Sequence, residues 1–204
     1  MGADPKKDNS TLKLKVQLRI NLLKEIKHPV ILETHGGWGR VYDLVYRGIP
    51  DGVVLEKDPE KTLWLSTQRP TWSVYEGDCI RALAAGAGSH LVVNFVDVDP
   101  YGECWPVLDA FFGSVREWPD KLAIAVNDGL LQKLRLHGGW NVSSMAGIVA
   151  MYGNENLHKH YPEICQMLLK EKAAQVGYRL KRWTAYNCGH AGQMTHFAGL
   201  LVKS

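Results

Sequence analysis

The chain has no apolar run of membrane length, and residues 1–7 are polar, with Asp4 and Pro5 where a secretory signal would carry an apolar core. It also lacks a strong charge of either sign. The 24 Lys and Arg against 21 Asp and Glu leave +3, too little for a bulk field that steers a protein toward polyanions, so any nucleic-acid contact has to come from local patches. Cysteine is sparse and scattered: Cys79, Cys104, Cys165 and Cys188 form no Cys-x-x-Cys pair. That spacing argues against a zinc ribbon or a disulfide framework and suits a reducing, cytoplasmic setting. The eight histidines include His158 and His160, but no His-x-x-x-His or Cys/His cluster has metal-site spacing, and no metal is expected. Gly-x-Gly-x-x-Gly, the dinucleotide fingerprint, is missing too.

What is present fits one α/β domain: 204 residues, 46% hydrophobic and 22% charged, enough for a substantial core. Residues 1–27 read as a polar tail followed by an amphipathic helix over 12–26, broken by Pro29, and residues 28–204 as the domain proper. Strands are expected at 30–32, 52–56, 73–76, 92–98 and 122–126, with helices at 40–47, after Asp58 and Pro59 (an N-cap acid and an N1 proline), and at 80–85. This alternation predicts βαβ units and a parallel, doubly wound sheet. A helix over 161–176 and strands at 178–186 and 196–202 complete the chain. Residues 133–162 contain Trp140, Tyr152 and several glycines and follow the fifth strand; they are either a lid over the sheet's carboxyl edge or a packing excursion.

Ligands of open α/β sheets sit beyond the carboxyl ends of the strands, and there the chain concentrates acids. Glu33, Glu56, Asp78 and Asp99 each end one of four consecutive strands, with Asp97 just before the last. Glu33-Thr34-His35-Gly36-Gly37-Trp38-Gly39 fits Glu-x-x-x-Gly-x-Gly, the acidic glycine loop that holds the methionine part of S-adenosyl-L-methionine; an acid there would pair with an ammonium and repel a pyrophosphate. Glu56 stands where a nucleotide site needs acceptors for ribose hydroxyls. Asp78 could accept from an adenine amino group, with Cys79 or Ile80 packed on the ring. In Asp99-Pro100-Tyr101-Gly102, the Asp carboxylate and the Pro carbonyl are acceptors for an amine and Tyr a stacking face. Trp38, Trp105 and Trp140 are either walls of this site or core.

This constellation resembles the class I S-adenosylmethionine-dependent methyltransferases. Asp97-Val98-Asp99-Pro100-Tyr101-Gly102 looks like the Asp-Leu-Asp-Pro-Phe-Gly motif of the tRNA guanine N2-dimethyltransferase family, and the likeness extends to Asn127-Asp128, residues 161–178 and Thr195-His196-Phe197. His35 departs from it, standing where glycine is common. The resemblance implies a Rossmann-like fold of about seven strands, mostly parallel, with the last antiparallel. It implies a cofactor site at Glu33, His35, Gly37, Gly39, Glu56, Asp78, Cys79 and Asp97, with catalysis at Asp99, Pro100 and Tyr101. Substrate contacts fall on Gly102, Trp105 and Asn127.

The function expected on this basis is N-methylation of an exocyclic amine on a nucleic-acid base, guanine N2 in tRNA or other RNA before DNA. Alternatives are adenine-N6 or small-amine methylation, and a non-catalytic S-adenosylmethionine-binding module. A nucleic-acid partner would use Lys13, Lys15, Arg19, Lys24 and Lys27 or Lys170, Lys172, Arg179, Lys181 and Arg182, unless these are solvated helix faces. A homodimer would widen the binding surface, and neither a membrane nor a metal partner is expected.

Overall fold

A computed structural model describes residues 11–132, 145–153, 157–189 and 192–204. Helix α1 (Leu12–Leu23) precedes β1 (Ile31–Glu33), a wide π-type turn over Tyr42–Tyr46, β2 (Gly52–Glu56), α2 (Pro59–Gln68), β3 (Ser73–Glu76) and α3 (Cys79–Ala84). Then follow β4 (Phe95–Val98), α4 (Trp105–Gly113), β5 (Lys121–Asp128), α5 (Ala146–Tyr152), α6 (Tyr161–Gln175), β6 (Tyr178–Cys188) and β7 (Met194–Lys203).

The strands form one sheet in the order β3-β2-β1-β4-β5-β7-β6. Every pairing is parallel except those of β7, which runs antiparallel to both β5 and β6. The order reverses at β1, between β2 and β4, so the connections leaving β1 and β4 diverge and open a crevice at their carboxyl ends. That reversal positions the candidate site.

Local chemistry explains most boundaries. All five residues of β2 are buried, as in a strand covered on both faces. Asp58 caps α2, its Oδ1 accepting from Glu60 N at 3.1 Å and Lys61 N at 3.3 Å, and Pro59 occupies the first turn, where no donor is lost. Strand β5 outruns the expected 122–126 because β7 pairs with it along its whole length, from Lys121↔Val202 to Asp128↔Thr195. Asn127 and Asp128, poor strand formers alone, are held extended by that ladder. The segment expected as an ordinary helix at 40–47 widens over Tyr42–Tyr46 and buries both tyrosines against the sheet.

The two faces of the sheet carry separate cores. Leu32, Val53, Val96, Ile124 and Val126 pack with α3, α4 and α6, while Ile31, Val54, Phe95, Ala123, Ala125 and Ala198 face α1, the π-type turn and α2. The three alanines let α1 approach closely, and Leu18 and Leu22 fill the space. Helix α1 therefore packs into the core of the domain rather than standing apart from it. Lys121 Nζ donates to Glu25 O at 3.0 Å beyond its carboxyl end, and Tyr186 Oη to Leu14 O at 3.1 Å near its amino end. Of the segment expected as a lid, residues 133–144 (Trp140 among them) and 154–156 lie outside the described residues; 146–152 form α5.

Candidate active site

The loop from β1 toward the π-type turn forms one wall of the crevice. Gly37 and Gly39 take φ of 52° and 73°, the left-handed region that glycine enters without steric cost. Gly36 is needed for space, since a Cβ there would lie 2.5 Å from Leu65 Cδ1 and 2.6 Å from Val54 Cγ2. Glu56 clamps the loop from the end of β2: Oε2 accepts from Gly37 N at 2.7 Å, and Oε1 from Lys57 N at 2.9 Å and Asp58 N at 3.0 Å. Asp78 caps α3, accepting from Arg81 N at 3.0 Å, and Ile80 beside it leaves an apolar side chain 38% exposed. His35 Nδ1 lies 2.8 Å from Thr34 Oγ1 and its Nε2 3.5 Å from Cys79 Sγ. Burial lowers the His35 pKa and pushes the Cys79 thiol up to about 11, so both are neutral near pH 7. Adaptable glycine backbone, a strand-end carboxylate and an exposed aliphatic side chain suit a ligand that combines an amino acid with a nucleoside.

The opposite wall follows β4. Asp99 accepts from Lys15 Nζ with both oxygens, at 2.9 and 3.0 Å, and its side chain is 23% exposed. Burial acts to raise the Asp99 pKa, but Lys15, then Arg19 and the nearby Asn127 amide, outweigh it and hold the carboxyl below the usual range. Tyr101 is 95% exposed, a free ring face at the rim. Behind it, Gly129 N donates to Gly102 O at 2.9 Å, which ties the loop to β5. Asp128 accepts from Tyr161 Oη and from Leu130 N, the latter at 3.1 Å, and burial lifts its pKa to about 7.

The structure does not bring every predicted residue to the crevice. Glu33 is buried and paired with Arg69, whose guanidinium stacks 4.2 Å from the Tyr42 ring; Asp97 is buried, paired with Arg19 and accepting from Tyr46 Oη at 2.7 Å. These acids are neighbours in register, Glu33↔Asp97, and face the interior under α1 and the π-type turn. Their charges are spent within the protein. Trp105 is fully buried, stacked on Phe197 at 5.7 Å with its indole N–H donated to Tyr161 Oη at 3.1 Å, so it supports the Asp99 loop from below and presents no face to a base. Asn127 is buried too, its Oδ1 accepting from Arg19 Nη1 at 3.4 Å. Trp38, by contrast, is 42% exposed at the glycine loop.

Lys15, Arg19, Tyr46 and Arg69 carry the electrostatics of this site; the sequence marked the first two only as part of a basic patch and the last two not at all. Arg19 is fully buried, which corrects its expected place on a phosphate-tracking surface: burial disfavours its charge, and Asp97 more than restores it. Lys172 pairs with Asp109, and Arg182 with Glu25.

No family model matches this sequence, and no curated protein does. Solved structures match it in number. Trm1 from Pyrococcus horikoshii, solved with S-adenosyl-L-methionine, superposes with a TM-score of 0.65 at 13% identity over 96% of this chain and 56% of its own. NodS, an N-methyltransferase from Bradyrhizobium japonicum WM9 solved with S-adenosyl-L-homocysteine, gives 0.61 at 9% identity, covering 99% of this chain and 93% of that one. M. jannaschii TYW2 in complex with AdoMet gives 0.57 at 11%, covering 98% and 80%. The fold is the Rossmann-like class I methyltransferase fold, with seven strands and β7 reversed. Among the described residues no helix is long and apolar enough to cross a membrane.

Proposed function

We propose that this chain is an S-adenosylmethionine-dependent N-methyltransferase whose acceptor is an exocyclic amine of a nucleic-acid base, guanine N2 in tRNA or other RNA foremost. The observation that carries the reading is the Asp99 carboxylate across the crevice from the glycine loop, with both oxygens already engaged by a nitrogen, that of Lys15. That contact supports a role for the carboxylate as an acceptor pair for an N–H donor. A further solved neighbour, described as a putative RNA methyltransferase, PH1948 from Pyrococcus horikoshii (TM-score 0.54 at 13% identity), supports the choice of a nucleic acid, and the exposed Tyr101 supports a planar acceptor that stacks.

Glu56 would receive the cofactor's ribose hydroxyls, Asp78 and Ile80 its adenine, and the loop at Gly37 and Gly39 its amino-acid part. When bound, the cofactor supplies a methyl group already activated by a sulfonium, so the protein's task is alignment and an environment suited to a vanishing charge. Asp99 and the Pro100 carbonyl accept the hydrogens of the amine and leave its lone pair directed at the methyl carbon. As the amine accepts the methyl group that the cofactor would supply, Asp99 would take the proton the nitrogen gives up. Tyr101 stacks on a base that is unpaired or flipped out of its helix.

Two outcomes follow. Glu56→Ala removes the ribose acceptor and the clamp on Gly37 together, and S-adenosylmethionine affinity is expected to fall about tenfold or more; unchanged affinity by calorimetry removes that role. Lys15→Met deletes the leading charge that holds the Asp99 pKa down, so that pKa rises and the acid limb of the rate–pH profile shifts to higher pH. A limb that stays in place would show that Lys15 does not set the Asp99 ionisation.

Incubation with labelled S-adenosylmethionine and separate pools of tRNA, rRNA, DNA and small amines tests the reading, with label expected in RNA. The Lys15–Asp99 pair favours one other reading, a binding module in which Lys15 permanently occupies the amine position. It predicts cofactor binding with no label in any pool.

A further inference from the structure

Register carries the site beyond Asp99. Asp97 stands opposite Ala125, and Ala125 opposite Ala198, so two residues further toward the crevice the row reads Asp99, then Asn127, then His196, the last two being direct partners. At one strand spacing per step, Asp99 and His196 lie on the order of 10 Å apart, with Asn127 between. His196 is fully buried, and both its ring nitrogens lack a hydrogen-bond partner. Asn127 turns its carbonyl oxygen to Arg19, and its buried amide nitrogen, on the side of the Asp99 carboxylate, closes no well-formed hydrogen bond. Tyr186 meets the His196 ring edge-on at 5.5 Å, which packs the ring and leaves its nitrogens unsatisfied. Burial, reinforced by Lys15 and Arg19, lowers the His196 pKa to about 3, so the ring is neutral and offers one donor and one acceptor. Unpaired buried polar atoms are costly, and several in one row beside an amine-binding carboxylate are better explained by a ligand than by packing.

We propose that His196 is a specificity-determining residue of the substrate site: with Asn127 it forms a floor that takes the hydrogen-bonding edge of a planar heterocycle whose amine is held by Asp99. The inference rests on the reading of Asp99 given above and extends it from the amine to the rest of the base. A base would displace the Lys15 ammonium from Asp99 and lie along the row beneath the first turns of α1, each orphaned atom gaining a partner. An acceptor on the base would meet the Asn127 amide, and His196 would meet either kind of group according to its tautomer.

The test uses the full chain saturated with S-adenosylhomocysteine and titrated with GMP, AMP, CMP and, as a control without a base, ribose 5-phosphate. Ring-nitrogen NMR of the histidines and calorimetry are the readouts. At least one base-bearing nucleotide, but not ribose 5-phosphate, is expected to shift the His196 ring signals. His196→Phe should weaken that nucleotide about tenfold and narrow the preference among the three, while His196→Gln, which keeps a donor and an acceptor, restores part of both. If wild type and His196→Phe bind the nucleotide equally, or the His196 signals do not move when it binds, the floor is wrong while the reading of Asp99 stands. If the wild type binds none of the three, the base reading fails and takes this inference with it. Should His196→Phe fail to fold, the wild-type ring signals and His196→Gln still decide.

Discussion

Asp99→Asn is expected to lower methyl transfer by about 10²-fold or more while leaving S-adenosylmethionine affinity within a few-fold. Asn keeps the size of the side chain and one acceptor oxygen. It loses the second acceptor, the negative charge and the capacity to take the proton. Because Lys15 and Arg19 keep the carboxyl below the usual range, Asp99 is ionised across the neutral range, and the variant removes a group present in its active form. Initial rates with saturating cofactor and an accepted RNA, set beside a calorimetric titration of the same variant, separate chemistry from folding and binding. A rate within about tenfold of wild type would take the amine-directing role away from Asp99.

Arg19→Ala is expected to be the most damaging substitution outside the catalytic loop. Arg19 is fully buried, and Asp97 lies against it with about 1% of its side chain exposed, accepting from both Nε and Nη2; Nη1 serves Lys15 O and Asn127 Oδ1. Truncating one partner of a buried pair leaves an uncompensated charge, which costs about 3–5 kcal/mol, because desolvation has been met without its Coulombic return. At about 2–4 °C per kcal/mol for a domain of this size, the melting temperature should fall roughly 6–20 °C. Asp97→Leu introduced alongside Arg19→Met removes both charges and should recover most of the loss. If Arg19→Ala melts within about 2 °C of wild type, α1 is not pinned by this pair.

The two substitutions bear on one arrangement. Helix α1 brings Lys15 to the acid at the rim and Arg19 to the acid beneath it, four residues and one helical turn apart. The same helix therefore stabilises the fold and sets the charge of the site. Asp97 in β4 and Asp99 just past its end match that spacing, two residues apart along the strand direction.

Much of this was legible in the chain. Strand β2 and the Asp58-Pro59 start of α2 follow from local chemistry, since an apolar run bounded by breakers and an N-cap acid need no distant partner. The strand-end acids and the glycine loop were legible for the same reason, and both stand at the carboxyl ends of the parallel strands. What could not be read depends on pairing across long separations. Arg19 looks like any basic residue of an amphipathic helix until β4 delivers Asp97 beneath it, 78 residues later in the chain. Glu33 and Asp97 were expected to line the crevice, yet Arg69 pairs with the first and Arg19 and Tyr46 cover the second, partners that come from distant elements, so both acids are buried. Trp105 follows the Asp99 loop closely enough to suggest a wall, but α4 rotates it toward Phe197. His196 entered the sequence reading only within the Thr195-His196-Phe197 likeness, because its interest lies in standing beside Asn127 with its ring nitrogens unbonded.

Titration of the purified protein with S-adenosylmethionine tests the central claim most directly, that the crevice above β1 and β4 is a cofactor site facing the amine position at Asp99. Saturable binding of one equivalent, competed by S-adenosylhomocysteine and weakened about tenfold or more in Glu56→Ala, is the predicted result. Absence of binding by a folded, monodisperse sample would contradict the account at its base.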